Sequence, residues 1–385
     1  MDIASRRREL EAWLILLRTP GLGPAALRTL LARHGEARAA LAAARRGELE
    51  RPLDAPGRDW LRAPDGAVVA ADLAWLALPD HALVTCSDAD FPALLAEAPA
   101  PPAALFVAGD AAALWQPQVA IVGSRNASQG GAATAAGFAR ALAGAGFAIT
   151  SGLAEGIDGA AHAAALDAGG ITLAVLGTGP DRVYPPKHHA LAARVAAQGA
   201  LVSEFPPGTP GLPAHFPRRN RIIAGLSLGT LVVEAGLRSG ALITAADATE
   251  AGREVFAIPG SIHNPLARGC HALIRSGAKL VETAEEVVTE LAPLARRLGV
   301  SLRERLNESN QHSFAAENDT AASRRARDPD YARLFAALGH DPLGIDQLAE
   351  RSGLAVPALA SMLLMLELEG DVVARQGGYA LKVQE

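Results

Sequence analysis

From Val119 onward, short β-rich runs recur along the chain with helix-length segments between them, and this alternation constrains the fold more than any other feature. The runs are Val119 to Val122, Phe147 to Thr150, Thr172 to Leu176, Ala200 to Ser203, Thr230 to Val233 and Glu254 to Ile258. Each is mostly continuous in apolar residues, as expected of strands covered on both faces. Segments such as Gly131 to Ala143 and Ile157 to Ala168 are long enough for crossover helices. The pattern predicts an α/β fold with a doubly wound parallel sheet. Ligands of such sheets bind beyond the carboxyl ends of the strands.

The rest of the 385 residues suggests further domains around this core. Residues 9–49 show helical spacing at Leu10, Trp13, Leu14 and Leu17, then at Leu27, Leu30 and Leu31. Between them lies Pro20-Gly21-Leu22-Gly23-Pro24, which reads equally as a helix-hairpin-helix phosphate contact or a plain turn. The Pro-, Asp- and Gly-rich residues 50–80 suggest a connection. Polar residues such as Asn307 to Gln311 and Ser323 to Arg325 suggest a linker. From Tyr331 the spacing predicts three helices and a hairpin around Gly377-Gly378, the outline of a winged helix. The expected domains are an N-terminal helical domain over 1–75, a core over 80–292, a linker over 293–330 and a winged helix over 331–385.

Composition narrows the function classes without choosing one. The net charge of -5 does not forbid a polyanion ligand, which needs only a local basic groove. Cys86 and Cys270 supply neither a disulfide framework nor a four-ligand zinc site, so a reduced, cytoplasmic setting is expected. No apolar stretch reaches the length of a membrane span. The histidines form no metal-ligand pattern with acids or cysteines, and no cofactor motif stands out.

The motifs fall at the predicted strand ends. The first strand runs into Gly123-Ser124-Arg125-Asn126, where a glycine permits a sharp turn and Ser124 and Arg125 add donors. That loop suits a phosphate or a structural turn equally, and it lacks the dinucleotide glycine fingerprint. The second ends in Ser151-Gly152-Leu153-Ala154-Glu155-Gly156, whose glycines are expected to expose N–H groups. Asp158 and His162, one turn apart, suit a structural hydrogen-bonded pair. The third leads to Tyr184 and Lys187, an aromatic and a cation in one loop; His188-His189 beside them reads as exposed loop. Most distinctive is Phe216-Pro217-Arg218-Arg219-Asn220-Arg221, a stacking plate with several donors. One of its arginines is expected to pair internally, with Arg221 the candidate because it borders Ile222-Ile223.

Taken in order, Val119 to Arg125, Ser151 to Asp158 with His162, Tyr184-Pro185, Ser203 to Pro206, Phe216 to Arg221, Glu234 through Ser239-Gly240 to Thr244, Pro259-Gly260 and Gly269 to Gly277 resemble the DprA (Smf) DNA-processing family. The resemblance runs from about Phe91 to Val281. It implies a Rossmann-like core that binds and protects single-stranded DNA and loads the recombinase RecA during natural transformation, onto strand that SSB can coat. By motif, the DNA pocket would use Gly123, Ser124, Arg125, Ser151, Gly152, Lys187, Phe216, Arg218 and Asn220. His271, Leu273, Ile274 and Leu280 would fall in a homodimer contact, although internal packing of the same apolar stretch is a competing explanation.

Two other classes are weighed. Nucleotide phosphoribohydrolases share the fold, and Gly229-Thr230 with Glu234 partly matches their loop, but the paired glycines are missing and the Glu falls one residue late, so no enzyme activity is expected. A duplex-reading regulator is disfavoured because Val356 to Glu369 offers Ser361 and repelling acids, Glu367 and Glu369, rather than cations.

Overall fold

A computed structural model describes residues 3–300 and, beyond them, 329–339, 342–356, 359, 362, 363, 366, 372–375 and 378–381. The chain divides into two compact units, Met1–Leu302 and Arg303–Glu385.

The first unit begins with five helices: α1 (Ile3–Arg18), α2 (Pro24–His34), α3 (Ala37–Arg45), α4 (Ala55–Arg62) and α5 (Gly66–Leu76). The last two lie where the sequence suggested a connection. The Asp and Pro content there is capping chemistry: Asp54 accepts from Gly57 N–H, Asp65 from Ala67 N–H, and Pro56 sits in the first turn of α4.

A nine-stranded sheet follows. β1 (His81–Thr85), α6 (Ala93–Ala96) and β2 (Ala104–Gly109) precede the strands read from the sequence. Then come β3 (Gln118–Val122), α7 (Gln129–Gly144), β4 (Ala148–Ser151), α8 (Ile157–Asp167), β5 (Thr172–Val175), α9 (His189–Gln198) and β6 (Ala200–Ser203). The chain continues through α10 (His215–Leu226), β7 (Gly229–Val232), α11 (Ala241–Glu250), β8 (Glu254–Ala257), α12 (Arg268–Arg275), the two-residue β9 (Lys279–Leu280) and a helix α13 over 284–300. That last helix carries regular structure into the stretch read as linker; 301–328 lies outside the described residues.

The strand order is β1-β2-β6-β5-β4-β3-β7-β8-β9. All neighbours from β6 to β9 are parallel, whereas β1 and β2 pair antiparallel at one edge. Apolar clusters cover both faces, with Val122, Val175 and Ile222 on one and Ile121, Ile149 and Ile157 on the other. Adjacent Ile121 and Val122 pointing to opposite cores is the period-2 geometry of a strand buried on both sides. The chain winds outward from β3 to β6, then returns to the other side of β3 with β7. The loops after β3 and β7 therefore diverge at a topological switch point.

The second unit contains α14 (Pro329–Ala337), α15 (Ile345–Ser352), further helical residues between 356 and 366, and a hairpin of β10 (Val372–Arg375) and β11 (Gly378–Leu381). Leu334, Leu348, Leu363 and Val372 share its core, and it is a winged helix. Ser361, Glu367, Glu369 and Gly377 lie outside the described residues.

Candidate nucleic-acid interface

The switch point holds a cavity of about 510 Å³, lined by Ser124 and Arg125 after β3, Phe216 and Asn220 of α10, and Arg238 and Gly240 ahead of α11. A second cavity of about 220 Å³ adjoins it, sharing Arg125 and Phe216 and adding Glu155 and Tyr184. The shared side chains form a ridge between the two.

Backbone geometry shapes the first wall. At Gly123 a Cβ would come 2.6 Å from Ile157 and 2.9 Å from the Glu234 carbonyl, so only glycine fits. Gly156 has φ of 75° and equally close contact with the Ser124 carbonyl. That carbonyl accepts from Ile157 N–H, while among the described residues no hydrogen bond forms to the N–H groups of Ser124 and Arg125. Ser124 Oγ accepts from Asn126 N–H, closing the turn. The loop thus turns its carbonyl to Ile157 and leaves two amides without an acceptor among the described residues. Arg125 is exposed, has no ion pair among the described residues, and places its guanidinium 5.7 Å from the Phe216 ring centre.

Phe216 opens α10, whose first turn tolerates Pro217 because N–H groups there need no helical partner. Tyr184, half exposed, lies 5.2 Å away at a 47° tilt. Gly177 admits the ring, since a Cβ there would sit 2.8 Å from it. Two accessible aromatics lining the smaller cavity are a stacking platform.

The three arginines of α10 have different roles. Arg219 is the buried one, at 4% exposure. It donates to the Gly152 carbonyl at 2.7 Å and to the Val175 carbonyl, clasping the ends of β4 and β5. Burial lowers its pKa to about 10, opposed by the Asp158 charge. Arg221, the residue expected to pair internally, does bind the Glu204 carboxylate and the Ala100 carbonyl, yet it lies nearer the surface than Arg219. Arg218 shares the same carboxylate at 3.2 Å and stacks over Phe205. Asn220 accepts from Arg219 and lines the larger cavity.

Several expectations are corrected. Ser151 is fully buried and donates to the Ile121 carbonyl at 2.6 Å, so its hydroxyl is no ligand donor. Gly152 does not expose its N–H: the Asp158 carboxylate accepts from it and from Ala154, and the Gly152 carbonyl holds Arg219. Asp158 and His162 are not a pair. His162 Nδ1 meets Thr172 Oγ1 at 2.7 Å, and burial drives its pKa down to about 3, a neutral imidazole. The Asp158 carboxyl is raised by burial, against the pull of Arg219. Lys187 lines neither cavity; its ammonium pairs with Glu155 at 2.8 Å. His188 is tied rather than free, its Nδ1 2.9 Å from the Leu153 carbonyl.

Arg238 was missed from the sequence. It lines the larger cavity, exposed and without an ion pair among the described residues. Its place just beyond a strand's carboxyl end was the available signal. Glu234, the residue that evoked a hydrolase, lies past the end of β7, so the argument from strand faces does not apply to it. Its carboxylate accepts from Ser128 N–H at 2.8 Å and Ser128 Oγ at 2.7 Å, holding the start of α7. A Cβ on Gly131 would strike it at 2.4 Å. His271, Leu273 and Ile274 gather on α12 beside the exposed Leu280 of edge strand β9. Leu273 and Ile274 also pack on the core, as the competing explanation held. No group of metal-ligating side chains occurs, and no helix is long and apolar enough to cross a membrane, among the described residues.

A mostly parallel α/β sheet with an arginine- and aromatic-lined cleft at its switch point is the class of architecture that the fold and site define. Residues 82–292 match the family DNA recombination-mediator protein A, residues 7–59 a DprA-like N-terminal HHH domain, and residues 318–378 a DprA winged helix domain. The chain belongs to this DprA family of DNA-processing proteins. It is 44% identical to Protein Smf of Escherichia coli (strain K12) over 314 residues, covering 81% of this chain and 80% of that one. It is 49% identical over 189 residues to the DNA processing protein DprA of Streptococcus pneumoniae, covering 49% of this chain and 67% of that one. The X-ray structure of the S. pneumoniae protein superposes with a TM-score of 0.65 at 37% identity, covering 73% of this chain and 97% of that one. The DprA of Helicobacter pylori, whose structure describes a single-stranded DNA binding mode, gives 0.50 at 26% identity, covering 55% and 96%.

Proposed function

We propose that the cleft holds single-stranded DNA, with phosphates against the Ser124–Arg125 loop and Arg238, and bases on Phe216 and Tyr184. The observation that carries this is Arg125: an exposed guanidinium with no ion pair among the described residues, beside two accessible aromatic rings and two backbone amides without an acceptor among those residues. Base stacking indifferent to sequence combined with a salt-dependent backbone contact is how proteins grip a strand rather than a duplex. The protein protects incoming strand in the cytoplasm and loads RecA, from SSB-coated DNA where SSB is present. His271, Leu273, Ile274 and Leu280 form the contact of a homodimer that aligns two clefts. Its role is binding rather than catalysis. Glu234, which a nucleotide hydrolase would need at the ribose, is occupied by Ser128.

A gel-shift titration with long oligothymidylate against duplex of equal length tests the reading. Preferential binding of single strand is expected, with log affinity falling against log salt at a slope of about -0.7 per phosphate neutralised. Duplex selectivity, or release of ribose 5-phosphate from nucleotides at ordinary turnover rates, would overturn it.

A further inference from the structure

We propose that Glu155 is a built-in competitor for DNA phosphate: its carboxylate holds Lys187 in the free protein and must be displaced before that lysine can contact the strand. The proposal rests on the strand-binding reading of the cleft. Glu155 lines the smaller cavity beside Arg125, Tyr184 and Phe216, so a negative charge stands where the strand would pass. It meets Lys187 at 2.8 Å, with both side chains substantially exposed, at 41% and 60%. The two loops are held in register, because the Leu153 carbonyl ties His188, the neighbour of Lys187, to the loop that carries Glu155.

Glu204 makes the contrast. It also pairs an arginine of α10, Arg218, which lines neither cavity, but it is 6% exposed and bonded to Arg221 as well, so a ligand cannot draw it away. Glu155 has no second anchor among the described residues. An exposed ion pair is worth little, and a phosphodiester can replace a carboxylate at an ammonium without leaving a buried charge behind. Lys187 also holds the Glu155 carboxyl below its usual range, with smaller help from His188 and Arg125, so the competitor stays charged at neutral pH. The consequence is a weaker grip that releases more readily than the cation count implies, useful to a protein that must hand its strand on.

The test compares wild type, Glu155→Gln, Lys187→Ala, the double variant and a control, Glu285→Gln at an exposed position of α13, by anisotropy titration with oligothymidylate across a salt series. Glu155→Gln should bind about two- to five-fold more tightly, with the log–log slope steeper by about 0.7. Glu285→Gln should match wild type, and in the Lys187→Ala background the gain should shrink to the part due to direct repulsion. Unchanged or weaker binding by Glu155→Gln, an undiminished gain without Lys187, or an equal gain in Glu285→Gln overturns the proposal. Failure of the wild type to bind strand at any salt would instead sink the underlying reading, which separates the two.

Discussion

The rim and the floor of the cleft carry similar residue types and put them to opposite uses. On the rim, Arg125 and Arg238 face solvent without carboxylate partners among the described residues. On the floor, Arg219 and Asp158 are buried and bonded to strand ends and loop amides, and His162, buried in the same helix as Asp158 but lining neither cavity, is bonded to a threonine. Charge counted in a sequence is therefore not charge available to a ligand. A guanidinium close to backbone carbonyls organises the wall of a site, and one without partners can grip what enters it.

The largest effect should come from the floor. Arg219→Ala would leave the Gly152 and Val175 carbonyls buried without their donor and the buried Asp158 carboxylate without its nearby positive charge, costing roughly 3–5 kcal/mol of stability. Urea denaturation measures it, and a change below about 1 kcal/mol would mean that Arg219 is not structural. Arg125→Ala and Phe216→Ala should each cost about 1–3 kcal/mol of strand affinity, read by gel shift. Arg125→Ala should leave stability within about 0.5 kcal/mol; if it unfolds as Arg219→Ala does, the distinction between rim and floor collapses.

Acid probes the floor more gently. The unfolded chain binds a proton at His162 near the ordinary pKa of 6.5 and the folded one only near 3, so the unfolded state holds more protons between those values. Stability is complete above that window and falls as the pH drops through it. The His162 contribution between pH 7 and pH 5 is about 2 kcal/mol. The raised carboxyl of Asp158 acts in the opposite sense, so the measurement is the difference in urea stability between wild type and His162→Gln at the two pH values. A pH-independent difference would contradict the neutral, buried imidazole. The smallest effect belongs to Arg218→Ala, under about 1 kcal/mol of affinity, because Glu204 already neutralises this exposed side chain; a loss as large as that of Arg125→Ala would place it with the free rim cations.

Much of the sheet was legible because its central strands are buried on both faces, and such strands announce themselves as apolar runs. β1, partly exposed at the edge, gave a weaker signal, whereas β2 is as apolar and buried as the central strands but precedes the alternation of strands and helices that begins at Val119. Helices α4 and α5 were hidden because Asp and Pro serve loops and helix starts alike. At the site, Gly123 and Phe216 stood out by motif, whereas Ser151 and Gly152 were misread because hydroxyls and glycine amides advertise donors without showing whose acceptors they meet.

What the sequence alone determined is local: strand and helix periods, the glycines that let the β3 turn form, and the concentration of arginine and aromatic residues after His215. Those follow from steric rules and side-chain chemistry within a few residues of each other. Which arginine is buried, which lysine is already paired and which loops meet at the switch point depend on groups far apart in the chain. Arg219 meets Gly152, Lys187 meets Glu155 and Glu234 meets Ser128 only because strand order brings their loops to one edge. Burial and partner charges then decide which of these groups a ligand can reach.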